Sequence, residues 1–258
     1  MAASKSVKVD SELEGVHTPP PAKPAQPESE TDTMELFSRA RPDAGGRATD
    51  THEVDAPAGF GATEDDRRDP AVKPLLVLTQ TLEDRYSDLA HHGRSVAGYC
   101  ALTARELGLD PEACERVALA GELHDVGKVG VAEDILRKPE PLSAEEWRQV
   151  MRHPQIGADL LVSSNLDDIA GWVLAHHERP DASGYPYGAD GAAIPLESRI
   201  LAVADAYDAM RTDRVYKRGC THEESAAELR KCAGSQFDPE VVEAFLRALD
   251  RITAGKTK

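Results

Sequence analysis

The segment Leu123-His124-Asp125-Val126-Gly127-Lys128 places a histidine and an aspartate side by side, with a lysine three residues after the aspartate. Leu119 and Ala120 precede it at helical spacing, so the pair is predicted to lie at the end of a buried helix. A carboxylate buried there is costly unless a cation or a metal compensates its charge. The segment therefore indicates either a metal site or a helix-end ion pair between Asp125 and Lys128.

A second set of polar residues lies downstream, partly within apolar helical sequence. These potential metal ligands are His153, His176, His177, Glu178, Asp205 and Asp208. Consecutive helical residues point about 100° apart, so His176 and His177 can reach one centre only at a helix end or between two metals, and the nearby Pro180 indicates a helix end. Asp205 follows Leu201-Ala202-Val203-Ala204, where an unpaired carboxylate would be costly. Together these features favour a metal centre over the ion pair.

The ligand types indicate both the metal and the reaction. Imidazole and carboxylate ligands without sulfur suit Fe or Mn, and Zn is also compatible. Two such metals about 4 Å apart can lower the pKa of a shared water and hold a phosphoryl oxygen. Asp125 is the expected bridging carboxylate, and Lys128 is expected to neutralise charge that develops on the phosphoryl group. The residues therefore predict metal-dependent phosphoester hydrolysis, with two divalent metal ions as cofactors and Asp125 and Lys128 as catalytic residues.

Composition limits the class of protein and its partners. The 258 residues carry a formal net charge of -16, which argues against duplex nucleic acid or an anionic membrane surface as a partner. The four cysteines are scattered without a Cys-x-x-Cys pair, so neither a disulfide framework nor a thiolate zinc site is expected. No stretch resembles a signal peptide or the roughly 18 apolar residues of a membrane span, which predicts a cytoplasmic protein.

The hydrophobic pattern predicts one all-α domain over residues 74–250. Residues 1–73, rich in Pro, Ser, Thr, Glu and Asp, are predicted to form a disordered N-terminal tail, and removal of the first 70 is expected to leave stability unchanged. Residues 251–258 are predicted to be a flexible C-terminus. Helices are predicted over residues 74–84, 87–107, 110–123, 132–137, 143–151, 155–162, 166–177 and 197–211, from 221, and from 238 to about 252. Residues 180–195, rich in Gly, Pro and Asp, are predicted to form a loop.

These residues carry a resemblance to a known family. His124-Asp125, with the distal histidines and aspartates, resembles the HD superfamily of metal-dependent phosphohydrolases. The segment HHERPDASGYP, from His176 to Pro186, is similar to the signature of its HD-GYP branch. Further similar segments are 194–200, 203–210, 213–217 and 236–239. The resemblance covers about residues 75–249 and implies a single helical HD-superfamily domain.

The resemblance also implies a function. HD-GYP proteins are bacterial signalling phosphodiesterases that hydrolyse cyclic di-GMP to linear pGpG or to GMP, and a metal-bridging hydroxide is the implied nucleophile. The implied ligands of two metals are His92, His124, Asp125, His153, His176, His177 and Asp205. Lys128, Arg214 and Lys217 are implied to contact substrate phosphates, and Tyr185 is implied to shape the guanine pocket. The same loop is proposed in the family to contact diguanylate cyclase (GGDEF) domains.

Three positions depart from the family pattern, and one of them is Ser95, which stands where an arginine is usual. Ala182 stands where glycine is usual, so a Cβ is expected at a loop position that favours positive φ. Asp88 stands where some members carry a glutamate ligand, and it would allow a third metal.

Two alternative functions follow: a cyclic-dinucleotide sensor or adaptor with weak turnover, or an HD hydrolase for another nucleotide. The sequence predicts no particular oligomeric state.

Overall fold

The computed structural model describes residues 61–85, 91–138, 140–212 and 218–256. Within these ranges the chain forms eleven α-helices and one 3₁₀ helix, without a β-strand, so the predicted all-α class is confirmed. The α-helices are α1 Glu64–Arg68, α2 Lys73–Arg85, α3 His92–Glu106, α4 Pro111–Leu123, α5 Glu133–Leu136, α6 Ala144–Val150, α7 His153–Val162, α8 Asp167–Leu174, α9 Leu196–Arg211, α10 His222–Lys231 and α11 Pro239–Lys256. The 3₁₀ helix is Val126–Gly130 and directly follows the His-Asp pair.

The centre of the fold is the pair formed by α3 and α4, and α9 and α11 both pack against α3. Gly121 allows the close approach within the pair, because a Cβ there would lie 2.9 Å from the Cα of Ala97 on α3. The pairing also brings His92, at the start of α3, next to His124, which follows the end of α4. Their ring centroids lie 5.2 Å apart. The core therefore holds polar residues from distant parts of the sequence at one end of the helix pair.

An aromatic cluster fixes α9 and α11 against α3. The ring of Tyr99 lies 5.2 Å from that of Tyr207 and 5.7 Å from that of Phe245, measured between centroids. Both contacts are edge-to-face, the arrangement that the aromatic quadrupole favours. Because Tyr207 lies on the same helix as Asp205, this cluster fixes the position of that carboxylate.

Several helix starts follow the predicted capping residues. Asp110, Ser143 and Thr221 each accept a hydrogen bond from a backbone N–H in the first turn of α4, α6 and α10. At Ser143 and Thr221 a glutamate three residues later bonds back to the cap, so both predicted capping boxes are confirmed.

Three helix ends differ from the prediction. Helix α3 begins at His92 and not near residue 87, because His91 adopts a φ of 72°, a left-handed conformation that does not continue a right-handed helix. Helix α8 ends at Leu174, before the predicted end at residue 177. Helix α11 continues to Lys256, beyond the predicted flexible boundary at residue 250, and Arg251 pairs with Glu106 of α3 at 2.7 Å.

The predicted N-terminal tail extends too far into the chain, because residues 61–72 take part in the fold. Helix α1 starts with a capping box between Thr63 and Asp66, and Val72 is only 2% exposed. The N–H of Ala62 donates to Oε2 of Glu122 at 2.6 Å. This partner lies 60 residues away, so the polar composition of the segment does not reveal the contact. Residues 1–60 lie outside the described part.

The cysteines and the apolar character of the helices can be compared with the predictions from composition. All four cysteines are free, and Cys100 and Cys114 are buried, as expected for a chain without a disulfide framework. Among the described helices, none combines the length and the apolar character needed to cross a bilayer.

Candidate metal centre

Two groups of potential metal ligands lie beside the end of the α3–α4 pair. One group consists of His92, His124 and Asp125, and the other consists of His153, His176 and His177. Within each group, one potential ligand atom per residue lies within 4.8 Å of the others. The first group comes from the start of α3 and the end of α4, and the second from the start of α7 and the turn after α8.

Asp125 faces both groups. Its Oδ2 lies 3.5 Å from Nε2 of His124 and 3.9 Å from Nε2 of His92. Its Oδ1 lies 3.5 Å from Nε2 of His153. A carboxylate that presents one oxygen to each of two ligand groups has the geometry of a bridging ligand.

Asp205 adds a second carboxylate from α9. Its Oδ1 lies 3.3 Å from Nε2 of His92 and 3.8 Å from Nε2 of His124. The structure thus brings together all the residues predicted as ligands of two metals.

Three of the histidines are oriented in the same way by helix carbonyls. The Nδ1···O distances are 2.8 Å from His124 to Gly121, 2.8 Å from His153 to Val150, and 2.5 Å from His176 to Val173. Each acceptor lies three residues earlier, near a helix C-terminus where carbonyls lack intrahelical donors. Donation from Nδ1 to these carbonyls fixes the tautomer and leaves Nε2 as the ligand atom.

The Nε2 atoms fit a bound cation. Nε2 of His153 and Nε2 of His176 lie 3.4 Å apart, and neither can donate to the other because both Nδ1 atoms carry the proton. Nε2 of His124 is buried, and no residue in the described ranges forms a hydrogen bond with it. A divalent metal would satisfy these nitrogens together with the carboxylate oxygens beside them.

The protonation states of His153, His176 and Asp125 also fit a metal centre. Burial lowers the pKa of His153 to about 4 and that of His176 to about 3, so both are neutral at pH 7, as metal ligands must be. Burial alone would raise the pKa of Asp125, but Lys128 and the surrounding histidines outweigh it and hold that pKa well below its usual range. Asp125 is therefore ionised.

His92 differs from the other histidines. Burial lowers its pKa, but the carboxylates of Asp205 and Asp208 outweigh this effect and raise the pKa to about 10, so Nε2 would have to lose its proton to bind a metal. Oδ2 of Asp208 lies 2.7 Å from Nδ1 of His92, the ring nitrogen on the far side from Nε2. Asp208, one of the potential ligands in the sequence, therefore orients His92 through Nδ1.

The ion pair considered as the alternative also exists in the structure. Nζ of Lys128 donates to Oδ2 of Asp125 at 2.5 Å. The two interpretations are compatible, because the same carboxylate faces His124 and His153 as well.

The predicted substrate loop packs directly on the second ligand group. The ring of Tyr185 stacks on that of His177, with centroids 4.7 Å apart and planes inclined by 28°. Glu178, another potential ligand in the sequence, instead accepts hydrogen bonds from the backbone N–H groups of Tyr187 and Ala189. A cleft opens beside the loop, and its lining includes His176, His177, Tyr185, Asp205, Gln236 and Phe237.

Two buried carboxylates beside the centre were not identified from the sequence. Glu83 on α2 accepts a hydrogen bond from the N–H of Gly93, the residue after His92, at 2.6 Å. Glu122, two residues before His124, accepts from Ala62. Glu122 lies within apolar helical sequence, which is the same signal that identified Asp205, whereas the polar neighbours of Glu83, such as Asp84 and Arg85, give no such signal.

The remaining predicted site residues have different outcomes. Asp88, Arg214 and Lys217 lie outside the described residues, so their roles stay predictions. Ala182 has a φ of 61°, which confirms that a residue with a Cβ occupies a left-handed loop position.

Comparison with known proteins shows the family. The sequence model of the HD domain matches residues 76–241. The chain is 40% identical over 176 residues to the cyclic di-GMP phosphodiesterase response regulator RpfG of Xanthomonas campestris pv. campestris. This alignment covers 67% of this chain and 47% of that protein. It is 37% identical over 182 residues to a cyclic di-GMP phosphodiesterase of Thermotoga maritima, covering 69% of this chain and 50% of that protein.

Two phosphodiesterases from Vibrio cholerae extend the comparison. The chain is 36% identical over 192 residues to 3'3'-cGAMP-specific phosphodiesterase 2, covering 73% of this chain and 37% of that protein. The crystal structure of a cyclic GMP-AMP specific phosphodiesterase superposes with a TM-score of 0.55 at 17% identity, covering 71% of this chain and 50% of that one. At this identity the likeness shows the fold alone. The chain spans half or less of the length of the sequence relatives described above.

The fold and the two ligand groups define a helical protein with a histidine- and aspartate-rich candidate metal centre. The chain belongs to the HD domain family and, through the segment from His176 to Pro186, to its HD-GYP branch. Phosphohydrolases of this family depend on metals, and the two groups described above are the places where this chain could bind them.

Proposed function

We propose that this chain is a metal-dependent phosphodiesterase that hydrolyses cyclic dinucleotides, with cyclic di-GMP as the first candidate substrate and pGpG or GMP as the product. The observation that carries the proposal is the position of Asp125, whose two oxygens face two separate groups of histidines. Relatives named for cyclic di-GMP, at 40% and 37% identity, support that substrate. The relative named for 3'3'-cGAMP, at 36% identity, supports a second cyclic dinucleotide as the competing candidate.

The proposed cofactors are two divalent metal ions, with Fe or Mn preferred over Zn. His92, His124 and Asp205 would hold one metal, His153, His176 and His177 the other, and Asp125 would contact both. When bound, such metals lower the pKa of a water molecule and polarise a phosphoryl oxygen. A third metal at Asp88 stays a prediction from the sequence.

The chain's own residues supply the rest of the chemistry. Asp125 is ionised, so it can hold positive charge at the centre throughout the reaction. The side chain of Lys128 is 24% exposed and lies beside Asp125, where its charge can stabilise the developing negative charge of a phosphodiester. Tyr185, fixed on His177, presents an aromatic side chain at the cleft, where it can contact a base.

The proposal is tested by turnover with the metal content known. The full chain is purified anaerobically, loaded with Mn(II) or Fe(II), and incubated separately with cyclic di-GMP, 3'3'-cGAMP and cyclic di-AMP. Chromatography is expected to show pGpG or GMP from cyclic di-GMP, with slower conversion of the other two. Absence of product from every dinucleotide, with two metals measured per chain, would overturn it. Tight binding without turnover would instead support the sensor or adaptor function.

The phosphate contacts of Arg214 and Lys217 and the contact with GGDEF-domain proteins are predictions from the sequence. Arg214 and Lys217 are proposed to contact substrate phosphates, and Lys217→Ala is expected to raise KM while metal content stays unchanged. Contact of the Tyr185 loop with GGDEF-domain proteins is likewise proposed, and co-purification with such a domain would test it.

A further inference from the structure

Glu178 is a buried carboxylate that the chemistry above does not use. Only 3% of the residue is exposed, and it directly follows the ligand pair His176-His177. Its Oε1 accepts the N–H of Tyr187 at 2.7 Å, and its Oε2 accepts the N–H of Ala189 at 2.9 Å. Each oxygen therefore holds one backbone N–H of the loop that begins with Gly184-Tyr185-Pro186.

The same loop approaches the ligand turn closely at a second point. The N–H of Tyr185 donates to the carbonyl of His177 at 3.2 Å. A Cβ on Gly184 would lie 2.5 Å from the carbonyl oxygen of His177 and from the Cα of Glu178, so only glycine permits this contact. The loop is thus fixed to the ligand turn by the Glu178 carboxylate on one side and by the Gly184 contact on the other.

We propose that Glu178 is a positioning residue that sets the Tyr185 loop for substrate binding and makes no contact with the metal. The proposal rests on the proposed function, because it assigns the loop to recognition of the cyclic dinucleotide. Its physical basis is that a desolvated carboxylate bonded to two N–H groups is a strong, directional anchor. Since the preceding residue in the sequence is the proposed metal ligand His177, the anchor ties the loop to the metal centre.

The Glu178→Gln variant separates this role from metal binding. The amide keeps the size of the side chain but offers one acceptor and places an NH₂ group against the second backbone N–H. Loss of one hydrogen bond to a charged group corresponds to a decrease in kcat/KM for the dinucleotide of about tenfold to a hundredfold. The lower kcat/KM is expected to come mainly from a higher KM. Metal content and hydrolysis of bis(p-nitrophenyl) phosphate are expected to stay within about twofold of wild type.

Asp190→Asn is the matched control. Asp190 is an exposed carboxylate in the same loop region, and its Oδ1 accepts the N–H groups of Ala192 and Ala193, both at 3.2 Å. The same change from carboxylate to amide there is expected to leave all these parameters unchanged. Hydrogen exchange adds a direct measurement, because the amides of Tyr187 and Ala189 are expected to lose protection in Glu178→Gln and to keep it in Asp190→Asn.

Gly184→Ala perturbs the other side of the anchor and covers the case in which Glu178→Gln folds poorly. It is expected to raise KM with metal retained, and the double variant is expected to be no worse than the more affected single variant. A wild-type KM in both single variants, or loss of bound metal in both, would overturn the proposal. Failure of the proposed function is distinguishable: the wild type would then convert no dinucleotide, while hydrogen exchange at Tyr187 and Ala189 would still show whether Glu178 holds the loop.

Discussion

Oδ2 of Asp208 lies 2.7 Å from Nδ1 of His92, although 116 residues separate the two in the sequence. Asp208 is 7% exposed, so its carboxylate is desolvated and its position is set by the packing of α9 against α3. On the other side of the ring, Nε2 faces the carboxylates of Asp125 and Asp205. This arrangement fixes the orientation of His92 before any metal binds.

Replacement of Asp208 by Asn should therefore weaken metal binding without removing a ligand. We expect the affinity for Mn(II) to fall about tenfold to a hundredfold, because the amide is a weaker acceptor for the Nδ1 proton and does not hold the imidazole orientation as firmly. Competition with a fluorescent chelator measures the change. Asp168→Asn, which removes a carboxylate that pairs with Arg116 away from the centre, should keep the wild-type affinity. Equal affinities in the two variants would contradict the role of Asp208.

Asp125→Ala should remove both metals and all turnover. The residue presents Oδ2 to His124 and Oδ1 to His153, so its loss deprives both ligand groups of their shared carboxylate. It also leaves Lys128 without the partner that it holds at 2.5 Å. Elemental analysis of the purified variant gives the metal content, and circular dichroism checks that the helices are intact. Two metals per chain in a folded variant would show that another residue bridges them.

The sequence predicts the centre of this site better than its surroundings. His124-Asp125 and His176-His177 are adjacent pairs that end apolar helical sequence, so local pattern is sufficient to indicate them. The roles of Asp208 and Glu178 depend on contacts with His92 and with the backbone of residues 187–189. Residue type alone made both look like ligands, because a buried carboxylate is costly whether a metal, a histidine or a pair of N–H groups compensates it.

The helix boundaries show the same limit. Capping residues such as Ser143 are local signals and predict the start of α6 correctly. The left-handed conformation of His91 moves the start of α3 to His92. Histidine adopts this conformation more often than most residues, but it does so at few positions, so residue type alone does not predict it here.

Ala182→Gly should stabilise the protein. Ala182 has a φ of 61°, which is unfavourable for a residue with a Cβ, and its exposed side chain contributes little packing. Glycine relieves this strain, but it also raises the conformational entropy of the unfolded chain, which opposes the gain. The net effect should be an increase of about 0.5–1 kcal/mol in the free energy of unfolding. Urea denaturation of metal-free protein measures it. Asn165→Gly, at a φ of 58°, is the control and should gain less, because asparagine tolerates this conformation well. A less stable Ala182→Gly variant would mean that the methyl group makes a favourable contact.

Truncation tests whether the folded part begins near Gly61 or near Lys73. A chain that starts at Gly61 keeps α1, Val72 and the hydrogen bond from Ala62 to Glu122, whereas a chain that starts at Lys73 loses all three. Burial of Val72 is worth about 1.5–3 kcal/mol, and the Glu122 carboxylate that loses its N–H partner costs about 1–3 kcal/mol more.

We therefore expect the shorter chain to be less stable by at least about 2 kcal/mol in urea denaturation. The unchanged stability predicted from the sequence concerned deletion of residues 1–70, which removes α1 and the Ala62 N–H but keeps Val72. The Glu122→Leu substitution distinguishes the two contributions. In the longer chain it removes the acceptor of the Ala62 N–H and should destabilise. In the shorter chain that N–H is absent, and the substitution removes a carboxylate that lacks compensation, so part of the lost stability should return. Equal effects of Glu122→Leu in both chains would show that Glu122 does not hold the N-terminal segment.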